Sequence, residues 1–249
     1  MPTVEVRTLK EVDLKGGTIV AAFPSVGLVS TISATYLIQM LPVDQVCALE
    51  SEDFPSVSMI YAKKPKFPAR VYASPAHKLA IFVCEMPLPT RIHRAVAYAL
   101  MEWAKKQGCR RIISLEGLPM EGDGAVGQEP KVWSVGSTDL ARKELEKHKI
   151  DQLETGMIAG VAGVLLNEGR WRNVDVIALL AEARPDLPDA HAAVSLVRAL
   201  DEILEDVTVD LGPLQEQARQ LEEFLQKLKQ QAAPAVPAKE TTPPTGMYG

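Results

Sequence analysis

The chain has 249 residues, of which 47% are hydrophobic and 24% are charged, and its net charge is −5. This composition is typical of a globular protein that buries its core without a metal or a disulfide. Lysine and arginine are scattered rather than clustered, which argues against nucleic-acid binding. No apolar run is long enough to span a membrane, and residues 1–12 lack the apolar segment of a signal peptide.

The cysteines indicate the compartment. Cys47, Cys84 and Cys109 are odd in number, far apart and embedded in apolar runs. This usage favours buried free thiols in a reducing compartment, so we expect a cytoplasmic protein. The histidines are isolated from one another and from cysteine, so neither a metal nor another cofactor is expected. They are His77, His93, His148 and His191.

The first half of the chain predicts strands that alternate with helices. The predicted strands are short apolar runs, at residues 18–23, 45–49, 57–61, 78–84 and 111–115. One helix is predicted at residues 25–40. The clearest helix is predicted at residues 91–107, where the apolar side chains form a single stripe. Thr90 is placed to cap that helix, and Gly108 is placed to end it.

The second half continues the alternation. One strand is predicted at residues 174–180, and helices are predicted at residues 139–147, 158–167 and 190–204. Together the segments predict an α/β fold with a mostly parallel or mixed sheet flanked by helices. The density of strands between residues 45 and 84 predicts an antiparallel or mixed edge of that sheet.

The C-terminal residues depart from this pattern and suggest three parts: an α/β domain over 1–211, a helix over 212–231 and a proline-rich tail over 232–249. The helix carries apolar residues at spacings of four and three, which is typical of a short coiled coil that joins copies of the chain or a partner helix. The seam consists of Leu214, Ala218, Leu221, Leu225 and Leu228. The alternative is a helix that packs on its own domain. The tail is expected to be an extended, flexible linker.

A glycine-rich stretch, residues 117–127, follows the predicted strand that ends at Leu115. Ligands bind beyond the carboxyl ends of strands in parallel sheets, so this stretch could form an active site with Glu116. It lacks a neighbouring histidine, lysine or serine, and the chain contains no phosphate-binding loop or nucleophile elbow. We therefore favour a structural or partner-contacting loop. Arg91 and His93 follow a neighbouring strand and would have to meet Glu116 to favour catalysis.

The last three residues form a candidate docking motif. The side chain of Met247 fills an irregular apolar hollow. Tyr248 supplies rigid apolar area together with a hydroxyl group. Gly249 ends in a carboxylate that can pair with a lysine. Such a motif at the end of a proline-rich linker predicts insertion into a small pocket on a partner protein.

Several segments resemble one family of proteins. Residues 21–41, 113–119, 156–169 and 176–200 resemble, in order, blocks of the proteasome assembly chaperone 2 family, with Glu116 in place of the first glycine of a Gly-Gly-Leu-Pro sequence. The resemblance covers roughly residues 15–211. It implies an α/β fold akin to that of nucleoside phosphorylases, homo-oligomers and no established catalysis.

The same resemblance extends to the chain terminus. Met247, Tyr248 and Gly249 look like the hydrophobic-tyrosine-any-residue tail of proteasome activators and of archaeal members of this family. It implies binding to the α-subunits of the 20S proteasome, as an assembly chaperone or an activator. The alternative from a different class is a nucleoside-phosphorylase-like or hydrolase enzyme that acts on a small molecule.

Overall fold

The computed structural model describes residues 3–120, 129–204 and 207–232, except for the side chains of residue 222 and residues 224–232. The predicted tail after Ala232, with its docking motif, lies outside the described residues. So does most of the glycine-rich stretch. Within the described ranges, no helix is both long enough and apolar enough to cross a membrane.

The described residues form ten strands and six α-helices. The strands are β1 (Glu5–Thr8), β2 (Thr18–Ala22), β3 (Asp44–Glu50), β4 (Met59–Tyr61), β5 (Lys64–Lys66), β6 (Ala69–Ser74), β7 (Leu79–Cys84), β8 (Arg111–Pro119), β9 (Val132–Gly136) and β10 (Asp175–Ala183). The helices are α1 (Val29–Met40), α2 (His93–Lys106), α3 (Asp139–Lys147), α4 (Gly160–Arg172), α5 (Ala190–Ile203) and α6 (Gly212–Ala232). Short 3-10 turns precede α1 and α2.

Eight strands form one mixed sheet in the order β1-β3-β6-β7-β2-β8-β10-β9. The four strands from β7 to β10 in this order are parallel, and Val20 of β2 lies in register between Ile81 and Ile113. Antiparallel strands complete both edges. The central runs are apolar at successive positions because both of their faces are covered. The predicted α/β class with a mixed sheet is confirmed.

The helices divide unequally between the two faces. One face and its apolar cluster receive α1, α3, α5 and α6, with α6 packed on α5. The other face is covered by α2 and α4. Alternate residues of β2 serve the two clusters, since Val20 enters the first and Ile19 enters the second.

Four strands were missed by the sequence patterns, namely β1, β5, β6 and β9. The segment of β6 contains a charged residue, Arg70, yet this residue is buried. Gly108 ends α2 as predicted, with a φ of 76°. The predicted cap at Thr90 was wrong: the chain enters α2 through a 3-10 turn, Thr90–Ile92, that has Pro89 at its cap position and no side-chain cap.

The predicted seam of α6 begins inside the α/β body. Leu214 and Ala218 are each 1% exposed and belong to the cluster on the α1 face, and Leu221 packs against that cluster while partly buried. The start of α6 is also tied to α1, because the Tyr36 hydroxyl donates a hydrogen bond to the carbonyl of Asp210. The first turns of α6 are therefore a fixed part of the fold.

Arg111, at the start of β8, is a buried charge with several partners. Its Nε donates to Thr18 Oγ1 of β2 at 2.8 Å, and its Nη2 donates to the Ile203 carbonyl of α5 at 2.8 Å. Its Nη1 forms an ion pair with Glu144 of α3. One guanidinium group thus joins two strands and two helices at the amino end of the sheet.

We expect Arg111→Met to lower the free energy of unfolding by about 3–5 kcal/mol, because it leaves the buried side of Glu144 and the Ile203 carbonyl without their donor. Urea denaturation measures the change. The matched control is Arg7→Met, which removes an ion pair between half-exposed side chains, Arg7 and Glu50, and should cost less than about 1 kcal/mol. Equal losses for the two variants would contradict this account of Arg111.

Candidate functional site

The four parallel strands end at the same edge of the sheet. The connections after β2, β7 and β10 leave from this edge, each leading into a helix. The connection between β3 and β6 also leaves from this edge, because β3 runs in the same direction as β7. It contains a separate two-stranded hairpin, β4–β5. Such an edge is the usual place for ligands or partners in an open sheet.

The turn after β2 has an unusual backbone. Gly27 and Leu28 both have positive φ, 61° and 51°. A Cβ on Gly27 would lie 3.1 Å from the carbonyl of Arg184 and 3.1 Å from Cβ of Asp189, so the turn needs glycine to approach the next connection. Leu28 carries a Cβ, so its left-handed conformation is strained and costs about 1 kcal/mol. Leu28 is 46% exposed.

The connection after β10 is fixed by Asp189, which is buried at the start of α5. Its Oδ1 accepts the backbone N–H of Ala192 at 3.1 Å, and its Oδ2 accepts both the backbone N–H and Nε of Arg184, each at 3.1 Å. Its own N–H donates to the Gly27 carbonyl at 2.8 Å. Asp189 therefore caps α5 and holds the turn in front of α1.

An open groove of about 550 Å³ lies beside this turn, between α1, α6 and the hairpin. Its lining is mostly apolar, with threonine and glutamine side chains among the apolar ones. The lining residues are Pro24, Leu28, Thr31, Ile32, Thr35, Tyr36, Gln39, Met59, Glu85, Pro87, Leu214 and Gln217. A mostly apolar groove with a few polar groups is suited to binding an apolar side chain of a partner.

A buried ion pair fixes the hairpin wall of the groove. Arg70 of β6 and Glu85 after β7 form the pair, and their side chains are 4% and 10% exposed. Tyr61 of the hairpin donates its hydroxyl to the same carboxylate, and its ring lies 5.2 Å from the Arg70 guanidinium carbon. Burial raises the pKa of Tyr61, and the Glu85 carboxylate raises it further. The hydroxyl therefore stays protonated and remains a donor.

The carboxyl group of Glu116 lies at the same edge but on the opposite face. Ile112, Ser114 and Glu116 alternate along β8, and Ile112 belongs to the cluster beneath α2 and α4. Burial raises the pKa of Glu116 to about 8, an effect that the hydrogen bond from Ser114 Oγ at 3.2 Å partly offsets. A carboxyl group with such a pKa is a candidate proton carrier when partners surround it.

The partners that catalysis would require are engaged elsewhere. His93 Nε2 lies 3.1 Å from the Leu88 carbonyl, and Arg91 Nε donates to Asp53 Oδ1 at 2.9 Å. Within the described residues, neither side chain makes a hydrogen bond with Glu116. Arg91 and His93 therefore do not form with Glu116 the arrangement that would have favoured catalysis.

The structure brings together residues that no local motif had connected. Of the sequence-predicted seam, Leu214 lines the groove, Ala218 is buried in the cluster on the α1 face, and Leu221 packs against that cluster. The side chains of Leu225 and Leu228 lie outside the described residues, and so do Met247, Tyr248 and Gly249. The groove was missed because its walls come from four distant segments. The signal available was the charged Arg70 within an otherwise apolar strand.

Comparison with known proteins identifies relatives that share this architecture. The family model described as the PAC2 family matches residues 19–229. An uncharacterized protein of Methanocaldococcus jannaschii is 23% identical over 221 residues, which is 89% of each chain.

Two solved structures from Pyrococcus furiosus align with nearly the whole chain. PbaA, described as an archaeal homolog of proteasome-assembly chaperone, is 28% identical, with a TM-score of 0.78 over 92% of this chain and 97% of that one. PbaB, described as an archaeal proteasome activator, is 26% identical, with a TM-score of 0.77 over 92% of this chain and 100% of that one.

The raised pKa of Glu116 gives a pH-dependent prediction. Between pH 4.5 and about pH 8 the folded chain keeps a proton that the unfolded chain has lost, so the contribution of Glu116 to stability falls as the pH rises through this window. The side chain of glutamine does not titrate, so Glu116→Gln removes the pH dependence that Glu116 gives to the stability. We expect the stability of the variant relative to the parent to rise by on the order of 5 kcal/mol as the pH increases from 4.5 to 8.

Denaturant titrations across that pH range measure the difference between variant and parent. The control is Glu154→Gln, which alters an exposed glutamate. A stability difference for Glu116→Gln that is constant with pH would show that Glu116 has the same pKa in both states.

The contacts of Tyr61 predict how firmly the hairpin is held. Tyr61→Phe removes the hydroxyl that binds Glu85 and should cost about 1 kcal/mol locally. Because Lys63 lies in the exposed turn and is followed by Lys64, trypsin should cleave the variant after Lys63 faster than the parent. The bond after Lys64 is resistant to trypsin because Pro65 follows it. Tyr98→Phe removes a comparable hydroxyl bond, to Glu168 on α4, and should leave this cleavage unchanged. Identical cleavage of Tyr61→Phe and the parent would contradict the proposed anchoring.

Proposed function

Since the chain belongs to the PAC2 family, we propose that it is a proteasome assembly chaperone or activator that acts by binding rather than by catalysis. The observation that carries this proposal is its likeness, over about nine-tenths of its length, to an archaeal homolog of proteasome-assembly chaperone and to an archaeal proteasome activator. In this proposal, Met247, Tyr248 and Gly249 dock in the α-ring of the 20S proteasome.

The chemistry of the last three residues suits such a pocket. The tyrosine contributes a rigid ring and one hydroxyl, and the methionine adapts its shape to an apolar hollow. The terminal carboxylate adds a charge-assisted bond to a lysine of the partner. A single short tail has few contacts and binds weakly. Several tails on one homo-oligomer bind more tightly, because the first contact raises the effective concentration of the others.

The position of α6 supports this use of the tail. Leu214 and Ala218 fix the start of the helix in the body, and the helix continues to Ala232. Its 21 residues correspond to a length of about 32 Å. The fourteen residues that separate Ala232 from Met247 span up to about 45 Å when extended. The body can therefore lie well away from the pocket that receives the tail.

We expect Tyr248→Ala to abolish most of the capture of 20S α-subunits by the full chain, because it removes the ring that fills the pocket. Adding one residue after Gly249 should have a similar effect, because it displaces the carboxylate. Binding titrations against purified 20S proteasome measure both changes. Thr245→Ala, just upstream of the motif, is the control and should bind like the parent. Unchanged affinity for Tyr248→Ala would exclude docking through this tail.

We also propose that the later part of the seam supports self-association or contact with a partner helix. Leu225 and Leu228 are the last two residues of the predicted seam. Replacing both by lysine should lower the mass of the homo-oligomer measured by light scattering, because charges would then occupy the seam. Gln226→Lys on the same helix is the control. A parental mass for the double variant would restrict the seam to packing within its own chain.

A further inference from the structure

The hairpin β4–β5 presents an apolar face away from its own chain. Met59 lines the groove and Tyr61 binds Glu85, so Ile60 between them points outward. Ile60 is 66% exposed, and Pro65 lies opposite it in the strand register and is also exposed. Val57, just before the hairpin, is 50% exposed. An apolar face of this kind on an edge strand usually marks a contact with another molecule.

The hairpin is held ready for such a contact. Its turn residues Ala62 and Lys63 both have positive φ, which is the backbone that matches the twist of a two-residue hairpin. Tyr61 anchors one strand to the buried Glu85, and Lys66 Nζ of the other strand donates to Gln45 Oε1 at 3.0 Å. A rigid projection loses little conformational entropy when it binds.

A groove that could receive such an apolar face lies next to the hairpin. The groove between α1 and α6 offers apolar walls, with Ile32 and Leu28 on one side and Leu214 on the other. Its volume of about 550 Å³ accommodates an isoleucine and a proline side chain together. The projection and the groove lie on the same side of the molecule, because Met59 of the hairpin is itself a wall of the groove.

We propose that the hairpin of one copy inserts Ile60 and Pro65 into the groove of a second copy, and that the second copy does the same in return. A projection and a receptor on one surface make that surface self-complementary, as a two-fold interface requires. This proposal rests on the homo-oligomer of the proposed function and names a surface through which it forms.

The charges around the two elements are complementary. Lys63 and Lys64 are exposed, and neither forms an ion pair within the described ranges. The exposed side of α6, which borders the groove, carries Glu216 and Glu223 around a single Arg219 that pairs with both. This set has one excess negative charge. When the hairpin of the second copy occupies the groove, its lysines lie near these carboxylates and favour the proposed direction of insertion.

The test joins two separately prepared full-length chains with a short bis-maleimide cross-linker. One chain carries Ile60→Cys on the hairpin, and the other carries Gln217→Cys on the exposed rim of the groove. We expect a covalent mixed dimer from this pair. The control pair replaces Ile60→Cys by Leu140→Cys, an equally exposed apolar site on α3, and should show only the background of the parent chain.

A second measurement uses light scattering. Ile60→Lys should lower the oligomer mass of the full chain, while Leu140→Lys should not, and both variants should melt like the parent. Absence of the mixed cross-link while the parent remains oligomeric would overturn the proposal, as would a parent that is monomeric. Capture of 20S proteasome through the tail is measured separately: its loss with the cross-link intact refutes the proposed function alone.

Discussion

Four parallel strands, each buried on both faces, determine where every other functional element lies. Because parallel neighbours must be joined by a return across the sheet, helices cover both faces, and the strands β7, β2, β8 and β10 all end at one edge. The connections that follow these strands can be irregular, since they do not contribute to the ladder. The strained turn at Leu28, the cap at Asp189 and the groove are therefore concentrated at that edge.

The pair of Arg70 and Glu85 shows how the antiparallel edge serves this site. A buried ion pair contributes little net stability, because desolvation of both groups offsets their attraction. Its geometric effect is larger. The carboxylate also accepts the Tyr61 hydroxyl, and the guanidinium Nε donates to the Tyr72 hydroxyl at 3.1 Å, so four side chains fix one position of the hairpin. The hairpin forms one wall of the groove, so the position of this wall depends on the polar network around Arg70 and Glu85.

The sequence was most informative where periodicity reflects burial. Strand β2 was predicted because it is a short continuous apolar run, as a strand covered on both faces requires, and helix α2 because its apolar residues follow the helical period. Strand β6 was missed because Arg70 interrupts its apolar run, and the pairing that makes this charge tolerable comes from Glu85, fifteen residues later. The groove was missed for a similar reason: Leu28 and Leu214 have no sequence relation and meet only after α6 has packed on α5. Local sequence patterns do not predict contacts between residues that are this far apart in the chain.

The most consequential position is the start of α6, which takes part in both proposed interactions. Leu214 is simultaneously a core residue and a wall of the groove, and Gln217 lies one turn further along the same helix. Leu214 is already buried, but Gln217 is exposed, so a second copy that fills the groove would cover α6 at Gln217 and add contacts that stabilise its attachment to the body. The helix that leads to the tail would then be held more rigidly in the oligomer than in the single chain. Self-association and presentation of the tail would be coupled through packing at one helix, with no need for a change elsewhere in the fold.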